Sequence, residues 1–192
     1  MTYTPLNPDR TAILFADLQT GIIELGITNE LPRLRRAVSA LAKLARLFEM
    51  PVIVTTAPTQ SGVPQVIPEI EKALGMTLPL HTRTTTDAFQ HAETRYAIMN
   101  TGRKTLLIAG VATEISVQHS ALSGAARGLE VQVVLDACGG LSPRTEDAAL
   151  RRLVQAGIVT TSAPSIAGQL AGDITQPRGG QAVGILYEMA SG

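Results

Sequence analysis

Short apolar runs alternate with longer helical patterns along this chain. Thr11-Ala-Ile-Leu-Phe-Ala16 is almost wholly apolar, as a strand buried on both faces should be. From Glu30 to Glu49, Leu31, Leu34, Val38, Leu41, Leu44 and Leu47 recur at helical spacing, while Arg33, Arg35, Arg36, Lys43 and Arg46 fall mainly off that stripe. The pattern predicts a helix that covers a sheet with one face and meets water with the other. Pro51 stops it, and Val52-Ile-Val-Thr55 reads as a second strand. A loop with Pro58, Gly62, Pro64 and Pro68 follows, then a short helical pattern and a weaker strand near Leu78 to Arg83. Clearer strands are expected at Thr105–Ala109, Val131–Leu135 and Ile158–Thr161, with helical segments at about Thr113 to Arg127 and Thr145 to Gln155.

Near-continuous apolar strands separated by helices imply a parallel sheet covered on both faces, because right-handed crossovers place helices on each side. The expected fold class is α/β: an open, Rossmann-like three-layer α/β/α sandwich with a mainly parallel sheet of about six strands. A chain of 192 residues is expected to form one domain over 1–192, with its core at about 8–165. The tail, about 170–192, departs from the alternation: Gly172, Pro177, Gly179, Gly180 and Gly184 surround the apolar piece Ala182-Val-Gly-Ile-Leu-Tyr187. Such a segment packs either on a partner subunit or on its own domain.

Sixteen Lys and Arg balance sixteen Asp and Glu, so no global field attracts nucleic acid or an anionic membrane. Aromatic residues are 3% and Trp is absent, which argues against a stacking platform for single strands. A small, near-neutral ligand fits better. Cys138 is the single cysteine, so an internal disulfide is excluded and a reducing compartment is expected. The start, MTYTPLNPDR, lacks the apolar core of a signal peptide, and no apolar run approaches the roughly 18 residues of a membrane span. A soluble, cytoplasmic protein is the expectation.

In open α/β sheets the ligand site lies beyond the carboxyl ends of the strands. That rule selects Asp17 after the first strand, Arg83 at or near the end of the third, the Gly110-Val-Ala-Thr113 turn leading to Ser116 after the fourth, and Asp136-Ala-Cys138 after the fifth. A carboxylate at the end of the run ILFAD needs a charged or donor partner if it is buried. Asp136 reads most simply as a strand-end acceptor, and Cys138 as a small buried residue beside a turn. His81 lies on or beside the third strand, His91 before a helix, and His119 one helical turn after Ser116. Sequence elements of the types GxGxxG, GxxxxGKS and GxSxG are missing, which leaves dinucleotide, Walker-type and serine-esterase readings without support.

The combination ILFADLQTGI, RTTTDAF and LLIAGVATEISVQHSALSGAARGLEVQVVLDACGG resembles the isochorismatase-like cysteine hydrolases, in particular their YcaC-like branch, over roughly residues 8–165. The resemblance implies a catalytic set of an Asp, a Lys and a Cys, to which Asp17, Arg83 and Ser116 correspond. Arg83 takes the Lys position, six residues before Phe89 of the DAF element, and Ser116 takes the nucleophile position. It further implies a non-proline cis peptide at Val111–Ala112, an oxyanion hole from the N–H groups of Ala112 and Ser116, no cofactor, and a homo-oligomer. Related nicotinamidases hold a metal with an Asp-x-His-x-x-His cluster, a spacing this chain lacks, so no metal is expected.

The two replacements change the chemistry. A thiol ionises readily beside a cation and a helix N-terminus, whereas a hydroxyl needs a well-placed base. A carboxylate beside a permanent cation is a weak base for an alcohol. Lysine can move a proton, while arginine holds charge and orients. Three readings follow: a hydrolase acting on a small carbonyl compound, of amide or ureide type by resemblance; a catalytically silent binding or regulatory protein with the same pocket; and ester or thioester hydrolysis through Ser116 with His81 as base. Ser116 is a natural divergence or an introduced change in any of them.

Overall fold

The computed structural model describes residues 5–59 and 62–190. The first four residues of the start MTYTPLNPDR, the last two of the tail, and residues 60–61 of the loop with Pro58 and Gly62 lie outside the described residues. Six strands form one all-parallel sheet: β1 (Thr11–Ala16), β2 (Val52–Thr56), β3 (Leu80–Thr82), β4 (Thr105–Val111), β5 (Glu130–Gly139) and β6 (Val159–Thr161), in the order β3-β2-β1-β4-β5-β6. Among the described residues, seven helices flank it: α1 (Leu31–Leu47), α2 (Pro68–Leu74), α3 (Ala92–Asn100), α4 (Gln118–Ala125), α5 (Pro143–Gln155), α6 (Ala163–Ala171) and α7 (Pro177–Ala190). The expected three-layer α/β/α sandwich is therefore observed.

The layers follow from the strand order. The chain steps outward from β1 to β3, then crosses to β4 and steps the other way, so right-handed crossovers put successive helices on opposite faces. Ile13 and Phe15 of β1 join Leu34, Leu41 and Leu44 of α1 and Ile70 of α2 on one face. Ala12, Leu14 and Ala16 join Ile98 of α3, Ala121 of α4 and Leu153 of α5 on the other. A strand that buries both faces reads as an unbroken apolar run for this reason.

The reversal of direction between β1 and β4 creates a crevice at their carboxyl ends. Gly110 permits it. A Cβ there would fall 2.2 Å from the Ala16 carbonyl oxygen, so only glycine lets β4 lie this close to the end of β1.

Several elements differ from the sequence reading. β5 runs on through Asp136 and Cys138 to Gly139, because its register shifts: two steps on β4, Ile108 to Gly110, face five on β5, Val133 to Cys138. The extra residues bulge out and interrupt the apolar pattern. The single helix expected over Thr113 to Arg127 divides into a π-helical turn, Thr113–Val117, and α4. The tail is helical. Ser162 caps α6 by accepting from the Ser165 N–H at 3.3 Å, with Pro164 in its first turn. Helix α7 then folds back so that Ala182 and Ile185 enter the core cluster of α1 and α6. The tail thus contributes Ala182 and Ile185 to the core of its own domain.

Candidate active site

Asp17, Arg83 and Ser116 come together at the β1–β4 crevice, and all three are nearly inaccessible, at 4%, 2% and 5%. Asp17 follows β1 directly, with a left-handed backbone (φ 56°) that aspartate tolerates better than most residues and that turns its side chain back over the strand ends. Its N–H is held by the Thr55 carbonyl at 3.1 Å. Arg83 leaves the end of β3, with its N–H on the Thr56 carbonyl at 2.9 Å. Ser116 sits in the π-helical turn that opens from β4.

One carboxylate oxygen organises the site. Asp17 Oδ2 accepts from Arg83 Nη2 at 2.5 Å and from Ser116 Oγ at 2.6 Å. The other, Oδ1, accepts from Thr55 Oγ1 at 3.3 Å. Arg83 Nη1 donates to the Thr85 carbonyl, while its Nε is buried without a hydrogen-bond partner among the described residues. The buried charge of Asp17 is thereby paired and hydrogen-bonded, as burial demands.

The Val111–Ala112 peptide is cis. The Ala112 carbonyl accepts the N–H groups on either side of Ser116, those of Ile115 at 3.1 Å and Val117 at 3.4 Å. The turn is anchored from outside: Thr113 Oγ1 donates to Glu146 Oε1 at 2.8 Å, and Glu114 Oε1 accepts from the Leu141 N–H at 2.9 Å and Thr145 Oγ1 at 2.5 Å. These partners belong to the start of α5 or the loop before it.

The remaining candidates lie apart from this cluster. Cys138 is buried among the apolar side chains between the sheet and α4, and desolvation pushes its thiol up to about 12, so it stays protonated. Asp136 caps α6, its Oδ1 accepting from the Ala163 N–H at 2.8 Å, and burial raises its carboxyl above the ordinary value. His81 is on β3 near His91 and Glu93; burial, then the charge of His91, lowers its imidazole below the ordinary value. His91 precedes α3 with Nδ1 2.9 Å from Thr94 Oγ1. The hydroxyl of Ser116 goes to Asp17, so a His81-based mechanism gains no support from this arrangement.

Sequence reasoning missed Thr55 and Thr85. Thr55 is next to last in β2, the strand beside β1, so it lies close to the strand ends that the same rule inspects. The carbonyl of Thr85 carries no side-chain signal. Among the described residues, no group of three or more His, Cys, Asp or Glu is placed to hold a metal, and no helix is long and apolar enough to cross a membrane.

Comparison with known proteins agrees with this architecture. Residues 11–165 match the isochorismatase domain. The probable hydrolase YcaC of Escherichia coli is 34% identical over 155 residues, covering 81% of this chain and 74% of that protein. The Escherichia coli YcaC structure, described as an octameric hydrolase of unknown specificity, superposes with a TM-score of 0.89 at 29% identity over 98% of this chain and 92% of that one. YcaC from Pseudomonas aeruginosa, solved with hexane-2,5-diol and covalent acrylamide, gives 0.88 at 30% identity over 99% and 96%. A domain match across most of the chain, joined to a fold and a relative of this similarity, makes this protein a member of the isochorismatase family, in its YcaC-like branch.

Proposed function

We propose that the chain, acting as one unit over 1–192, is a hydrolase that binds a small carbonyl compound and cleaves a C–N bond of the amide or ureide type. The observation that carries this is the shared oxygen: Asp17 Oδ2 holds both Ser116 Oγ and Arg83 Nη2. In this reading Ser116 Oγ attacks the carbonyl carbon while its proton passes to Asp17. The oxyanion is met by the N–H groups of Ala112 and Ser116, where the π-type turn carries the Ala112 carbonyl past Ser116. Collapse breaks the C–N bond, Asp17 returns the proton to the departing nitrogen, and water then releases the acyl group from Ser116. Arg83 holds the carboxylate throughout and moves no proton.

The isochorismatase domain match supports a hydrolase, and the covalent acrylamide on the Pseudomonas aeruginosa relative supports a reactive nucleophile in that protein. The octameric relative supports a homo-oligomer. Ser116 and Arg83 stand, by resemblance, where the family carries its cysteine and lysine.

A second reading, a catalytically silent binding protein, is favoured by one observation: the oxygen that would have to accept the Ser116 proton is already occupied by Arg83 Nη2 at 2.5 Å. Release of ammonia from a panel of small amides and ureides separates the two. Turnover by the purified protein that disappears in Asp17→Ala supports the hydrolase; binding of the same amides without turnover supports the silent protein.

A further inference from the structure

The segment between β3 and α3 is stapled to α4 by two serines. Ser120 Oγ accepts from the Ala88 N–H at 2.9 Å, and Ser123 Oγ donates to Asp87 Oδ2 at 2.5 Å. Together with Ser116 these serines stand at positions i, i+4 and i+7, and all three bonds reach toward the β1 and β3 side of the helix. Asp87 is only 3% exposed, and no cation is its partner among the bonds and ion pairs of the described residues. Its other oxygen, Oδ1, accepts from the Phe89 N–H at 2.8 Å, and its carbonyl accepts from Thr85 Oγ1 at 2.9 Å. The carbonyl of Thr85 in turn receives Arg83 Nη1.

These bonds close a circuit. It runs from Ser116 to Asp17, to Arg83, to Thr85, to Asp87, to Ser123, and back along α4 to Ser116. A buried carboxyl must have its oxygens satisfied, and here the two bonds that do so run to different elements, Oδ1 to the loop at Phe89 and Oδ2 to α4 at Ser123. We infer that Asp87 is a positioning residue for Arg83: it ties the loop that follows the guanidinium to α4, which continues directly from the π-helical turn that carries residue 116. It rests on the reading of Asp17, Arg83 and Ser116 as the reacting site. Arg83 cannot move a proton, so its contribution is electrostatic and depends on where the guanidinium is held.

The test uses the ionisation of a thiol at position 116, and so needs no turnover. In the Ser116→Cys protein the rate of alkylation by iodoacetamide is followed against pH. Cys138, pushed up to about 12, stays silent over the range used. Asp87→Ala and Ser123→Ala, each added to Ser116→Cys, are expected to move the alkylation midpoint upward by about one unit and so to slow the reaction about tenfold at pH values below both midpoints. Asp87→Asn, which keeps an acceptor for Phe89 and a partner for Ser123, is expected to restore most of the rate. Loss of the Asp87 charge would by itself favour the thiolate, so an upward midpoint reports displaced geometry. Should Asp87→Ala fail to fold, Ser123→Ala carries the comparison. An unmoved midpoint in the folded variants overturns the inference, and so does an Asp87→Asn protein as impaired as Asp87→Ala. A shifted midpoint in a protein that cleaves no amide keeps the positioning role and removes the amidase reading.

Discussion

Ser116 and Asp17, 99 residues apart in the chain, are joined by a hydrogen bond of 2.6 Å between Oγ and Oδ2. The fold brings them together through one strand pairing. Ala16, which precedes Asp17, lies opposite Gly110, one residue before β4 ends and the chain enters the π-helical turn of Ser116. Because Arg83 binds the same oxygen, the site has one acceptor serving a cation and a hydroxyl. The stability of the crevice and the proposed chemistry therefore rest on the same few atoms.

Removing Asp17 leaves the Arg83 guanidinium buried without its counter-ion. Breaking such a pair from one side costs roughly 3 to 5 kcal/mol. Urea denaturation of Asp17→Ala is expected to show a loss of that size, and Asp17→Ala combined with Arg83→Met to recover most of it, since the uncompensated charge is then gone. Equal losses in the single and double variants would contradict the buried pair.

Glycines at two positions should answer differently. Gly110→Ala drives a methyl into the Ala16 carbonyl, a clash with backbone that cannot move without opening the sheet. A loss of about 3 kcal/mol or a failure to fold is expected. Gly168 is exposed in α6, and a methyl added there would meet nothing within 4 Å, so replacement by Ala is expected to gain up to about 1 kcal/mol. Thermal midpoints of the two variants check both signs.

The thiol of Cys138 gives a pH signature. Its ordinary value of 9.0 rises to about 12 in the folded protein, by burial first. The unfolded chain loses this proton at lower pH than the folded one, so stability falls as pH rises through that interval and is unaffected by this thiol below it. Cys138→Ala is expected to flatten the alkaline decline measured by urea denaturation. The native protein is also expected to resist thiol reagents at about pH 8 until it is unfolded.

Much of the fold was legible because the signals are local. The run Thr11 to Ala16 and the stripe of Leu34, Leu41 and Leu44 report burial directly, and the observed bounds of β1 match the reading. β5 was underestimated because its bulge sends Leu135 and Asp136 out of the alternation. Helix α7 was obscured by Gly179, Gly180 and Gly184, poor helix formers that tertiary packing overrides; at Gly179 a Cβ would lie 2.2 Å from the Asp173 carbonyl. At the site, the strand-end rule brought forward Asp17, Arg83 and the turn before Ser116 together with Asp136 and Cys138, and the family resemblance singled out Asp17, Arg83 and Ser116 among them. The supports at Thr55, Thr85 and Asp87 act through a common side chain or a backbone carbonyl, and these bonds become visible only once β3, α4 and the intervening loop are folded together.

The hydroxyl at position 116 carries the central claim. Ammonia release from small amides and ureides by the protein and by Ser116→Cys tests it most directly, because a thiol beside Arg83 and the start of a helix ionises where a hydroxyl does not. The account predicts that the cysteine variant cleaves at least one such amide about a hundredfold faster than the serine protein, and that Asp17→Ala abolishes the gain. No cleavage by either protein, with both folded, would contradict it.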